Sequence, residues 1–273
     1  MLIRFVIENL FSFGERKEFN MIPNKRLKTL EYHKYNDCNF NLLKMASIYG
    51  ANGAGKSNLI KSLELFKKLI VREKIPFRLK DSRFKFNSSE DNKTQIFAIE
   101  FIQNGTAFYY GIELNGSRIE TEELYLSGLG IENDSLIYER KTNKENSTVI
   151  TFLEEFENDE KSQILKSVLL EEFVKPDEPI LKLLSNRDNK FLKNVKLAFK
   201  WFEDTLQIIT PDSKPRALAH KIDIDKEFKN YARDLMCSFN IGITDLTSDK
   251  KDIKEFFGED NEKELDILIK DVE

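Results

Sequence analysis

The chain has 273 residues, 40% of them hydrophobic, with 22 Phe and a formal net charge of −4. That apolar content excludes a disordered chain. The faintly acidic balance excludes a globally basic nucleic-acid coat, although it leaves room for a local basic patch. The length suits one large α/β domain or two small ones. Two cysteines, Cys38 and Cys237, fit a reducing compartment and read as structural. No signal-peptide pattern and no run of about eighteen apolar residues is present, which predicts a soluble, cytoplasmic protein.

Leu2–Ile7 alternates and is β-branched or aromatic at most positions, so it reads as a strand. Asn9–Gly14 turns the chain, and Glu18–Ile22 reads as the return strand of a hairpin. Residues 24–44 mix polar and basic side chains and read as a loop. His33 lies there without a His, Cys or carboxylate cluster at metal spacing.

Met45-Ala46-Ser47-Ile48-Tyr49 is short and apolar, the pattern of a buried strand. Directly after it, Gly50-Ala51-Asn52-Gly53-Ala54-Gly55-Lys56-Ser57 is a full match to the Walker A phosphate-binding loop. Glycines let the backbone wrap a phosphate with its N–H groups pointing inward. Lys56 would reach the β- and γ-phosphates of ATP, and the Ser57 hydroxyl would ligate Mg²⁺. Leu59, Leu63, Phe66 and Ile70 then repeat at the spacing of one helical face. The helix dipole adds to the same anion site, so Gly50–Ser57 and the adjoining Asn58 are the candidate cofactor-binding residues, with Ser57 as the metal ligand.

Five β-rich runs follow: Thr94–Gln103, Thr106–Leu114, Arg118–Leu126, Ser135–Lys141 and Thr148–Leu153. Asn104-Gly105 and Asn115-Gly116 sit between the first three, the strongest short-range hairpin signal. These predict an antiparallel meander packed beside the strand that carries the phosphate loop. From Glu154 the period becomes helical. Phe191, Val195, Ala198, Phe202, Leu206 and Ile209 mark one face, with Trp201 beside it. Pro211–Pro215 breaks that helix, Phe228, Tyr231, Leu235 and Phe239 mark another, and Ile241–Leu246 reads as a short strand or turn. The tail Lys250–Glu273 is strongly charged. The change of texture suggests a nucleotide-binding lobe over 1–153 and an incomplete helical lobe over 154–273.

This order resembles an α/β P-loop head of the ABC type found in SMC and DNA-repair ATPases. More narrowly it is similar to the bacterial AAA-domain ATPases of abortive infection and other anti-phage systems. Leu2–Phe13, Ala46–Leu59, Tyr109–Arg140, Leu181–Ile209 and Asn240–Leu246 carry the likeness. The resemblance implies ATP and Mg²⁺ as cofactors, and a homodimer or higher oligomer formed through ATP-sandwiched heads once a C-terminal half is present. It also implies an effector nuclease or toxin as partner. Contact with nucleic acid is not shown by the sequence.

Departures from the family pattern are equally specific. In Asn9-Leu10-Phe11-Ser12-Phe13, Phe11 stands where such ATPases often carry a basic residue. No run of four apolar residues followed by Asp-Glu, the Walker B pattern, occurs downstream of the loop. Leu126-Ser127-Gly128-Leu129-Gly130 matches a signature loop in letters but falls inside the hairpin region, so it reads as a turn. Glu154–Glu160 reads as a solvated acidic face. Hydrolysis needs a carboxylate for the attacking water and another near Mg²⁺, and no residue here is assigned as catalytic. Neither Gln95 nor Gln103 is assigned to the metal. Three readings result: the N-terminal part of a longer (or split) ATPase, a nucleotide-binding regulatory module without turnover, and a P-loop kinase. The long meander and the lack of a lid-like arginine cluster count against the kinase.

Overall fold

The computed structural model describes residues 1–24, 26, 29–37, 40–75, 77–86, 94–210, 213 and 218–248. In chain order it contains β1 (Leu2–Glu8), β2 (Lys17–Asn20), a hairpin of β3 (Lys34–Asp37) and β4 (Phe40–Leu43), and α1 (Lys56–Arg72). Next come β5 (Gln95–Gln103), β6 (Thr106–Asn115), β7 (Arg118–Leu126), β8 (Ser135–Thr142) and β9 (Thr148–Phe152). The helices α2 (Glu154–Glu157), α3 (Glu160–Val168), α4 (Leu181–Ser185), α5 (Lys193–Lys200), α6 (Leu218–Ile224) and α7 (Lys226–Ser238) complete it. Contacts divide the chain into two units, Met1–Ile208 and Ile209–Glu273, whereas the change of texture suggests a division after residue 153.

The first unit is built on a seven-stranded sheet in the order β2-β1-β5-β6-β7-β8-β9, each neighbouring pair antiparallel. The meander forms as its alternation predicts. Asn104 and Gly105 take positive φ values of 49° and 77°, the twist-matched turn for which Asn-Gly is suited. Residues of one row, Phe5, Ile99, Tyr110, Leu124, Tyr138 and Phe152, stand opposite one another across six strands. All but Phe5, Ile99 and Phe152 are fully buried, and these are at most 2% exposed.

Onto that face α1 sets Phe66, stacked on Phe97 at 5.0 Å between centroids and edge-on to Phe202 at 5.8 Å. Burying one such ring contributes about 1.5–3 kcal/mol. The expected continuous helix over Phe191–Ile209 is corrected: a 3₁₀ turn at Lys190–Leu192 leads into α5, which ends in a π-turn at Trp201–Thr205. The wider turn brings two successive rings inward. Trp201 stacks on Phe101 at 4.3 Å and Phe202 meets Tyr110 at 5.5 Å.

Two more expectations are corrected. Residues 24–44 are not loop throughout, because β3 and β4 pair with Tyr35 opposite Leu42, and Leu42 is buried with Ile3 and Ile102. Met45–Tyr49 is not a buried strand beside the meander. It takes no strand conformation, is exposed throughout, and its backbone has no hydrogen-bond partner among the described residues. The physical reason is that β5 already has β1 and β6 on its two edges. A strand of parallel-sheet composition is held only by neighbours and covering helices, and the described residues supply none for it.

In the second unit, Asp225 caps α7 by accepting from the Phe228 N–H at 2.9 Å. Neither α6 nor α7 contains a buried residue, and Ile241–Leu246 forms no strand. The Pro211–Pro215 breaker, Ser213 apart, Cys38 and the tail Lys250–Glu273 lie outside the described residues. Cys237 is exposed. No helix among the described residues is long and apolar enough to cross a membrane.

Candidate nucleotide-binding site

The phosphate loop and α1 form as one strand-less piece: an exposed loop over 50–54 and a helix starting at Lys56. Leu59 and Leu63 are partly buried against the core, while Phe66, Leu69 and Ile70 are fully buried. Thus the periodic face anchors the helix and leaves its N-terminus in the open. Gly53 and Gly55 adopt φ of 82° and 90°, a region that L side chains rarely enter. Gly55 is constrained twice over, since a Cβ there would stand 2.7 Å from Ser12 Oγ and 3.3 Å from the Phe13 ring.

The start of α1 has no side-chain cap. Among the described residues no side chain accepts from its first turn, and that turn contains no acidic residue. The first N–H groups of α1 and the positive end of its dipole are therefore left for an anion to take up. Lys56 reaches back across the loop, its Nζ donating to the carbonyls of Gly50 at 2.6 Å and Ala51 at 2.7 Å. These bonds tie the helix start back to the beginning of the loop. Ser57 is exposed beside it. Asn58 points elsewhere: its amide donates to Ser12 Oγ at 3.1 Å and its carbonyl accepts from Ser62 Oγ.

Ser12 is a residue that motif reasoning passed over. It belongs to the Asn9–Gly14 turn, where Asn9 and Phe11 both have positive φ, 52° and 51°. The turn is pinned from outside by Asn9 Oδ1 accepting from Phe84 N at 3.3 Å and by Phe11 N donating to Ser82 O at 2.5 Å. Phe11 packs against the core, so the position where the resemblance would place a basic residue presents no cation here. Only the order Asn-x-Phe-Ser-Phe before the loop hinted at this contact.

The other sequence candidates take structural places. Ser127 bonds Glu100 and the Leu129 N–H, Gly128 donates to Asp134, and Leu126 ends β7 with Ser127–Gly130 turning the chain after it. Glu157 accepts from Phe152 N at 2.8 Å, from Gln163 at 2.8 Å and from Lys166 at 2.6 Å. Although burial pushes its pKa up, these bonds outweigh it and hold the carboxyl below its ordinary value. Asp159 caps α3 through Ser162. Gln103 accepts from Thr205 and the buried Gln95 donates to Leu79 O.

A family model described as “AAA domain, putative AbiEii toxin, Type IV TA system” matches residues 45–230, well over half of the chain. The chain belongs to this AAA-domain family. No curated protein matches it. The match begins at Met45, so it takes in the whole loop and α1, and it stops short of β1 and the Ser12 turn. Membership fits a nucleotide-binding AAA-type ATPase domain on an α/β P-loop fold. No group of three or more His, Cys, Asp or Glu able to hold a metal occurs among the described residues. A magnesium ion carried in by phosphate oxygens and one serine hydroxyl, such as Ser57, needs no such cage.

Proposed function

We propose that this AAA-domain chain is the ATP-binding N-terminal part of an ABC/SMC-like cytoplasmic ATPase of the phage-defence kind. In that reading ATP with Mg²⁺ draws two heads together, and closure drives an effector nuclease or toxin. The observation that carries the nucleotide step is the uncapped, acid-free start of α1 with Lys56 folded over Gly50 and Ala51. Lys56 would exchange its two carbonyl partners in part for phosphate oxygens, keeping a charge-assisted bond throughout. Ser57 would orient the metal, whose role is to neutralise charge on the phosphates.

The second wall of the site is assigned to further polypeptide. Met45–Tyr49 stands exposed without pairing among the described residues, with Tyr49 at 90% exposure. The acidic run after β9 is occupied in holding α2 and α3. Both observations also favour a second reading, a regulatory module that binds nucleotide without turnover.

Calorimetry with Mg·ATP tests the assignment. Lys56→Ala is expected to weaken binding by about 1.5–3 kcal/mol, the worth of a bond to a charged group. Equal affinity in the two proteins would sink it. Residues 1–273 alone are expected to show negligible steady-state hydrolysis. Turnover that vanishes with Lys56→Ala would place the catalytic base inside this chain and eliminate the second reading.

A further inference from the structure

The strongest unassigned feature lies away from the phosphate loop, where α4 passes into α5. Leu181–Lys200 contains six Lys or Arg residues and a single acid, Asp188, in a chain whose net charge is −4. Asn186, Arg187, Lys190, Lys193 and Lys196 line an open cleft of about 530 Å³, into whose wall Asp188 also enters.

Helix geometry sorts these charges. On α5, Val195, Ala198 and Phe199 are buried, which puts Lys193, Lys196 and Lys200 on the outer face, all exposed. Their i, i+3, i+7 spacing makes one stripe about 10 Å long at 1.5 Å of rise per residue. None of the three has an ion-pair partner among the described residues, so their charge is not neutralised within the fold. Lys182, by contrast, is committed to Val71 O and Glu73. Lys190 bridges Asp159 at 3.2 Å but is 67% exposed, and a pair so exposed exchanges readily.

Arg187 adds a fixed element at the cleft wall. Its guanidinium lies 4.8 Å over the Phe173 ring, and its Nε is buried without a partner among the described residues. Stacking holds the planar fork in place without consuming its donors. Asn189, meanwhile, ties the floor to α3 by donating to Ser162 Oγ at 2.9 Å. A cleft that carries Lys193 and Lys196, neither ion-paired among the described residues, beside the stacked Arg187 guanidinium, and that continues along α5 to Lys200, is suited to a chain of regularly spaced anions. A single phosphate would engage only one or two of these groups.

We propose that this cleft and the α5 stripe bind the phosphodiester backbone of a nucleic acid. The recognition is electrostatic and sequence-independent, with Lys193, Lys196 and Lys200 each neutralising a phosphate. It is separate from the nucleotide assignment, because none of these residues belongs to the phosphate loop.

Fluorescence anisotropy on the 273-residue chain tests it, using labelled single-stranded DNA, duplex DNA and single-stranded RNA across a salt series. Binding is expected at about 50 mM salt with an affinity that falls steeply as salt rises. The arm that binds more tightly names the source of the backbone. Lys193→Glu/Lys196→Glu should lower that affinity at least about tenfold and reduce the slope of log affinity against log salt by about 2. Both positions are exposed, and unchanged circular dichroism together with unchanged Mg·ATP affinity would show that the variant is folded. Absence of binding to all three probes at low salt would overturn the proposal. So would equal binding by the double variant, or capture of heparin without any nucleic acid.

Discussion

Two parts of the first unit treat polar groups in opposite ways. Inside the meander, Glu122 and Arg140 sit side by side on β7 and β8, both fully buried. Glu122 accepts from Tyr110 OH at 3.0 Å, Tyr138 OH at 2.8 Å, Arg140 at 3.4 Å, Ile180 N at 2.9 Å and Leu181 N at 3.1 Å. Arg140 further donates to the carbonyls of Lys175 and Glu178 at 2.6 and 2.5 Å. Burial first, and the Glu122 charge second, push the Tyr110 and Tyr138 hydroxyls well above their ordinary pKa, so both stay donors. At the phosphate loop the reverse holds: among the described residues the helix start is uncapped and the segment before it is unpaired. A fully satisfied cluster fixes where α4 leaves the sheet, and an unsatisfied one marks where a ligand or partner would have to arrive.

The comparison breaks most visibly at Glu122. Glu122→Ala leaves Arg140 buried without its carboxylate and should cost about 3–5 kcal/mol, read as a lowered midpoint in urea. A loss below about 1 kcal/mol would mean that the carbonyls of Lys175 and Glu178 suffice for Arg140.

A smaller effect is expected at the loop, where two glycines share the left-handed region but not their surroundings. Gly53→Ala meets open space and should cost only the conformational strain, about 1–2 kcal/mol. Gly55→Ala adds the contact with Ser12 Oγ and Phe13, so its cost should exceed that of Gly53→Ala and reach about 3 kcal/mol, with a clear loss of Mg·ATP affinity. Equal behaviour of the two variants would remove the Ser12 turn from the site.

The smallest effect is one of pH. The folded state lowers the pKa of Glu157 from its ordinary 4.5. The stability this contributes is therefore present above about 4.5 and is lost as pH falls through the lower folded value. Glu157→Gln should flatten that acid limb of the stability curve while changing little at neutral pH. An unchanged limb would assign acid sensitivity to other carboxylates.

Much of this was readable in the chain. Alternation and Asn-Gly turns located five strands to within about a residue, because each strand's faces and turns are encoded locally. The Walker loop was legible because its chemistry demands particular residues at adjacent positions. Met45–Tyr49 misled, since apolar composition reports what a segment can pair with and not whether a partner is there. The π-turn at Trp201–Thr205 was hidden because a helical period carries no sign of the wider turn that ends it. Ser12 depends on a contact between positions 46 residues apart from Asn58, which no local pattern encodes. Glu122 did leave a trace: it falls in phase with Leu124 on the inner side of β7, directly opposite Arg140.

The connectivity of the sheet also sets an order of events during folding. From β5 to β9 every strand pairs with its successor in the chain, so the meander closes through short local loops. β1 meets β5 only at long range, the Arg4–Glu100 bridge spanning 96 positions, and that closure encircles the whole phosphate loop and α1. Long loops close late because their entropy is lost before the contacts form. The phosphate loop is thus enclosed last, on a scaffold already in place. A ligand bound there should slow unfolding while leaving the folding rate almost untouched.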